Sequence, residues 1–277
     1  MKIKNNKNFK LLQRNGYCVE KNIISKKQAL KFAKQIDYLN KKKTKTYHKF
    51  KGWEVVHNPF LYILPLSELI INKKILKYVN FFLPKNCNYI LKTQIATNSL
   101  QDKSIKNHEF SRKISSKNKE RTALDVHIDS PFPFNNIKDV PEITMMIALD
   151  NMKISNGATC YYKKSHTSGL KPNHIVFKKY KKYYPKKILE VESGSAVIAM
   201  GSTWHSVGKN TDGKRRWAIQ QRYVPWYSKQ MHDYSNLFRS TKFRKYLKLK
   251  IFYQLLGGNS FPPKSNSNRY DTVTKIR

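Results

Sequence analysis

From residue 88 onward the chain breaks into short β-rich runs, at 89–96, 123–128, 143–149, 188–191, 196–200 and 216–224. Turn-rich segments separate them, among them 131–136, Ser155-Asn156-Gly157 and Asn210-Thr211-Asp212-Gly213. Many short strands punctuated in this way predict a β-sandwich or barrel. Ahead of them, Gly16-Tyr17-Cys18-Val19 reads as a short strand. Ser25 and Gln28 then form an S-x-x-Q capping box that opens a helix, with Ala29, Phe32, Ala33, Ile36 and Leu39 at helical spacing. A second helix is expected to start near Asn72 and stop before Pro84, with Ile75, Leu76, Val79 and Phe82 on its apolar side. After Tyr227 the chain is basic again and reads as helical to about Leu256. The expected organisation is one domain over 1–277, with an N-terminal helical part at 1–87, a β core at 88–227 and a basic extension at 228–277.

With 277 residues, 39% hydrophobic and 13% aromatic, the chain can bury a substantial core and is too apolar for a disordered protein. No apolar run is long enough to span a bilayer, and the first residues carry charge without an apolar signal region. A cytoplasmic protein is therefore expected. Cys18, Cys87 and Cys160 stand far apart with no CxxC pair, which excludes a disulfide framework and a thiolate zinc site. The charge balance is extreme: 55 Lys and Arg against 17 Asp and Glu, a net of +38. Such a charge attracts anions, whether nucleic acid, a membrane surface or an acidic small molecule, and says nothing about the fold.

One constellation carries chemistry. In His127-Ile128-Asp129 the two polar side chains lie two apart on a strand end and so point to one side. A second histidine, His205, follows the run 196–200. Two imidazoles and one carboxylate make the facial triad of non-heme Fe(II) oxygenases, which leaves positions open for a chelating cosubstrate and O2. An H-x-D alone is a weak signal in a chain with 8 His. Arg216, eleven residues after His205, strengthens it, because its guanidinium can pair with the distal carboxylate of a dicarboxylic cosubstrate.

These residues sit in a longer pattern. Segment 143–169 (ITMMIALDNMKISNGATCYYKKSHTSG) and segment 194–223 (GSAVIAMGSTWHSVGKNTDGKRRWAIQQRY) resemble the phytanoyl-CoA dioxygenase family, with its A-L-D strand, N-G loop, H-x-x-G-x-N and following arginine. The opening Gly16-Tyr17 strand and capped helix resemble its N-terminal element, so the similarity runs over roughly 9–227. The resemblance implies a double-stranded β-helix (a cupin-like jelly roll) with N-terminal helices and a basic helical C-terminal extension. It implies Fe(II) held by His127, Asp129 and His205, and 2-oxoglutarate held by Arg216. Gln94 falls where many members carry a glutamine beside the cosubstrate, and Met146 is expected to line the same pocket. Asn156 and Gly157 are expected to shape a turn, with glycine supplying a positive φ. The family's P-G-S-H turn reads Lys163-Lys164-Ser165-His166 here, and His166 is expected to be structural. Because Asp129 is present, where halogenating relatives carry a small residue, the implied reaction is hydroxylation, with O2 consumed and 2-oxoglutarate decarboxylated to succinate.

The substrate is not written in these motifs. The basic loop 103–121, just ahead of the ligand strand, is expected to act as a lid and points to an anionic small molecule bearing phosphate, phosphonate, CoA or carboxylate. The lysine- and tyrosine-rich run 178–187, together with the net charge, keeps open an alternative: a nucleic-acid-binding or nucleic-acid-modifying protein. Strand alternation sets Trp217 on the face opposite Arg216, in the core.

Overall fold

The computed structural model describes residues 6–42, 46–50, 52–83, 89–101, 125–130, 133 and 140–258. The 103–121 loop, most of the 131–136 turn and Cys87 therefore lie outside the described residues.

In chain order the elements are α1 (Lys7–Asn15), β1 (Tyr17–Glu20), α2 (Lys26–Lys41), β2 (Tyr47–Phe50), β3 (Trp53–His57), α3 (Ser67–Ile70), α4 (Lys73–Phe82), β4 (Tyr89–Ser99), β5 (Ile143–Ala148), β6 (Cys160–Tyr162), α5 (His174–Tyr180), β7 (Lys186–Ile188), β8 (Ala196–Met200), β9 (His205–Ser206), β10 (Trp217–Pro225), α6 (Arg244–Leu247) and α7 (Lys250–Leu255). The strands form a seven-stranded sheet, β1-β8-β5-β10-β4-β3-β2, and a three-stranded sheet, β7-β6-β9. All the pairings are antiparallel, as a jelly roll requires.

Alternation along each strand separates two cores. On β5, Ile143, Met145 and Ile147 face the helices and join the large cluster built with Phe32 and Ile36 of α2 and with Ile75 and Val79 of α4. Met146 and Ala148 face the small sheet and pack with Tyr17, Tyr161, Val197 and Ala218. The site lies on this inner side. The Ser25 capping box forms as expected, with both reciprocal hydrogen bonds, and Asn72 caps α4 through its side chain.

The short strand expected at Gly16–Val19 is β1, and the N-terminal part is less helical than expected because it also donates β2 and β3 to the large sheet. In Trp53-Glu54-Val55-Val56-His57 the odd positions turn toward the sheet's inner side, while Val56 joins the helix-side core. The C-terminal extension is helical as expected, in α6 and α7, and it packs on the fold: Phe243, Tyr246, Phe252, Leu255 and Leu256 are buried in the same core. The run expected as a strand at 123–128 is, in its described part, a single antiparallel bridge between His127 and His205. Among the described residues, no helix is long and apolar enough to cross a membrane.

Candidate metal centre

His127 and His205 are brought together by the backbone itself. Each donates its peptide N–H to the other's carbonyl, at 2.9 and 3.0 Å, so the ligand strand and β9 are locked in register at the two imidazoles. Asp129 is fixed by a different contact. The Gly201 carbonyl accepts from the amides of Asp129 and Ser130, at 2.8 and 3.0 Å. A Cβ at Gly201 would sit 2.5 Å from Ser130 Oγ and 2.7 Å from the Glu142 Cβ, so glycine is what lets the two segments close.

The three side chains then converge: one donor atom from each of His127, Asp129 and His205 lies within 4.8 Å of the others. Both histidines are oriented by acceptors that cannot donate. His127 Nδ1 bonds the Asp125 carbonyl at 2.8 Å, and His205 Nδ1 bonds the Thr203 carbonyl at 2.9 Å. Each Nδ1 therefore donates its proton to a carbonyl, which leaves Nε2 as the nitrogen available to a metal. Burial works against ionising Asp129, but Arg222, then His205 and His127, and a hydrogen bond from Thr144 hold its carboxyl below the usual carboxylate range. Two imidazoles and one carboxylate on a common face suit a divalent cation that keeps open coordination positions.

Arg216 stands across the same cavity, which has a volume of about 450 Å³. It is not the solvated charge that its neighbours Lys214 and Arg215 would suggest. It is 1% exposed, and burial pulls its guanidinium down to about 10. Nη2 donates to the Gly157 carbonyl at 2.9 Å, while Nε and Nη1 have no partner among the described residues. Gly157 has φ +87 and would place a Cβ 2.5 Å from Ser99 Oγ, in keeping with the turn expected at Asn156-Gly157. A fully buried cation with two unpartnered nitrogens is costly unless an anion completes it. A carboxylate is the geometric match.

Met146 lines this cavity, where its Sδ accepts from Thr159 Oγ1 at 3.5 Å. Gln94 does not join the group. It is fully buried on the helix side of β4, donates to the Leu66 carbonyl at 3.3 Å, and pairs in register with Gln221. The glutamine on the cavity side is Gln220, whose Nε2 reaches Asp129 Oδ2 at 3.3 Å. Other lining residues went unread in the sequence. Tyr161 stacks on His205 with ring centroids 5.5 Å apart, and Trp53, Val55 and His57 come from the overlooked β3. Arg222 also faces the cavity, two positions beyond Gln220; stepping by two along β10 from Arg216 reaches both. Cross-strand register sets Met146, Gln220, Ile95 and His57 in one row across the floor.

The remaining sequence candidates are structural. His166 is buried away from the ligands with Nε2 on the Gln13 carbonyl at 2.9 Å. Trp204 donates to the Leu170 carbonyl, and Trp217 lies in the helix-side core with its indole N–H on Asp37.

The sequence matches the family model for phytanoyl-CoA dioxygenase over residues 12–218. Uncharacterized proteins of Mycobacterium tuberculosis and Mycobacterium bovis are each 30% identical over 97 residues, 34% of this chain. That segment spans about a third of each relative's length, 33%. Among solved structures, the fold is similar to HygX from Streptomyces hygroscopicus with nickel, 2-oxoglutarate and hygromycin B bound (TM-score 0.58, 12% identity, 84% of this chain and 93% of that one). It is also similar to the epimerase SnoN in complex with Fe3+, alpha-ketoglutarate and nogalamycin RO (TM-score 0.58, 14% identity, 78% and 81%). A third similar structure is the carbocyclase SnoK from nogalamycin biosynthesis (TM-score 0.55, 14% identity, 84% and 90%).

Proposed function

The chain belongs to the phytanoyl-CoA dioxygenase family, and from that membership and the ligand face above we propose that it is an Fe(II)- and 2-oxoglutarate-dependent oxygenase acting on a small molecule. The observation that carries this reading is Arg216. Its buried guanidinium has two nitrogens to spare, Nε and Nη1, and shares one cavity with the His127, Asp129 and His205 donors. A cosubstrate with a chelating end for the metal and a second carboxylate for the arginine fits both features, and 2-oxoglutarate is that molecule.

In this reading His127 Nε2, His205 Nε2 and an Asp129 oxygen hold the iron, and Arg216 holds the distal carboxylate. Bound Fe(II) with 2-oxoglutarate supplies O2 activation coupled to decarboxylation, the chemistry no side chain provides. The protein's part is placement and shielding. Carbonyl partners fix both imidazoles, Tyr161 covers one face of His205, and burial keeps water from Arg216, where its attraction for an anion is strongest. Asp129 fills the third protein position and leaves it closed to halide, which supports hydroxylation as the outcome.

The substrate occupies the remainder of the cavity, over Ile95 and Val55 and against Trp53. Solved relatives of the same fold hold hygromycin B and nogalamycin RO, which supports a small-molecule substrate. An anionic group on that substrate is the part of the proposal that rests on the 103–121 loop. Purified protein with Fe(II), 2-oxoglutarate and O2 should form succinate and CO2, and His205→Ala should abolish this. Succinate formation that survives His205→Ala would refute the reading.

A further inference from the structure

Behind Asp129 lies a closed chain of four charges. Lys92 Nζ donates to Glu142 Oε2 at 2.9 Å, and Arg222 Nε donates to the other Glu142 oxygen. Arg222 Nη2 donates to the Asp129 peptide carbonyl, and Arg222 Nη1 lies 3.9 Å from Asp129 Oδ1. The Glu142 side chain is 0% exposed, and those of Arg222 and Asp129 are 13% and 9% exposed. The other Asp129 oxygen, Oδ2, accepts from Thr144 Oγ1 at 2.9 Å and stands 3.7 Å from His205 Nε2.

Resting on the metal-centre reading above, we propose that Arg222 is its positioning residue. Anchored on Glu142, and through it on Lys92, it holds Asp129 by the peptide carbonyl and by Oδ1 and so turns Oδ2 toward the two histidines.

Three features favour this over a role in fold stability alone. First, neutralising a buried Glu142 needs one cation, and Lys92 already supplies it; Arg222 adds contacts to two separate atoms of Asp129. Second, a bare guanidinium beside a metal ligand would repel an arriving cation. Glu142 on Nε offsets that charge and leaves the hydrogen-bond geometry in place. Third, β4 carries an irregularity at this point. Its register with β10 runs Thr93 to Arg222 and then Leu91 to Tyr223, so Lys92 is an extra residue without a cross-strand partner. Such bulges re-aim a side chain beside a site, and here the re-aimed ammonium closes the chain of charges. The four charges cancel before any metal binds.

The test is Co(II) titration of the full-length protein, read by its visible spectrum, with thermal melting alongside. Wild type, Arg222→Lys, Glu142→Gln and Lys92→Gln are compared. Arg222→Lys keeps the charge and loses the three-way grip, and it should bind Co(II) about 10–100-fold more weakly, with an altered spectrum. Glu142→Gln exposes the ligand to an uncompensated guanidinium and should weaken binding as well, whereas Lys92→Gln should do so least. If the variants melt lower yet bind Co(II) with wild-type affinity and spectrum, Arg222 is merely structural and the proposal fails. Failure of the wild type itself to bind Co(II) would remove the metal centre, and the positioning role with it.

Discussion

Arg216, just ahead of β10, and Arg222, on it, stand six residues apart and look into one cavity, yet they are satisfied in opposite ways. Arg222 has its Nε on Glu142 and Nη2 on the Asp129 carbonyl, with Nη1 turned toward the Asp129 carboxylate. Arg216 has a single carbonyl, and two of its nitrogens have no partner among the described residues. Arg216 is the more buried, at 1% exposed, yet it is the one left with the fewer partners. A closed guanidinium holds protein atoms still, while an open one waits for an anion that comes and goes. Arg215, next along the chain, shows a third arrangement: it forks onto Asp150 with bonds of 2.8 and 3.0 Å and also bonds Asp37, on the side away from the site.

The contrast is most exposed to a stability measurement. Arg222→Met leaves the Asp129 carbonyl and one Glu142 oxygen without their donor, while Lys92 still pairs Glu142, and should cost about 1–3 kcal/mol in denaturant unfolding. Arg216→Met removes a buried charge that has only one carbonyl partner. Its stability should stay within about 1 kcal/mol of wild type or rise. Equal losses at the two positions would erase the distinction between a closed and an open arginine.

The two glutamines on neighbouring strands sharpen it next. Gln94→Ala removes the bond to the Leu66 carbonyl and a fully buried side chain from the helix side of β4, and should cost about 1–3 kcal/mol of stability with no change in metal or 2-oxoglutarate affinity. Gln220→Ala should do the reverse, weakening metal binding a few-fold at little cost in stability, because Gln220 touches Asp129 Oδ2. Calorimetric titration beside thermal melts separates the two.

The smallest effect is one of pH. Burial lowers His166 and, helped by neighbouring histidines, His57; burial also lowers His232. A histidine held below its ordinary value binds fewer protons folded than unfolded, so its stabilising contribution is complete above about pH 6.5 and is lost as pH falls below that. Melting temperature should therefore drop from about pH 7 to 5, and His166→Gln, which keeps a donor for the Gln13 carbonyl, should flatten part of that slope. A slope unchanged in His166→Gln would assign it to the other histidines.

Much of this was legible in the sequence, because the chemistry-bearing residues are local signals. The His127/Asp129 pair, the distal His205 and Arg216 are spaced motifs, and alternation from Arg216 places Trp217 in the core. What stayed hidden depends on register. Counting by twos from Leu91, a residue of the helix-side core, would put Gln94 on the cavity side; the extra residue at Lys92 reverses the parity, and nothing in LKTQ announces it. Arg222 could be reached by stepping along β10, but its partners Glu142 and Lys92 meet it only through the sheet. In β2 and β3 the cause was context. The lysine-rich stretch around them masked a β-branched run, Trp53–His57, that supplies one wall of the cavity.

We propose Arg216 as an open receptor for the distal carboxylate of 2-oxoglutarate bound at the His127, Asp129 and His205 centre. The direct measurement is anaerobic: Fe(II) and then 2-oxoglutarate are added to the apoprotein, and the visible metal-to-ligand charge-transfer band is followed. A band is expected in the wild type, none in His205→Ala, and in Arg216→Ala a band that needs on the order of 100-fold more 2-oxoglutarate. An Arg216→Ala protein that develops the band at wild-type concentrations, or an iron-replete wild type that develops none, would contradict the proposal.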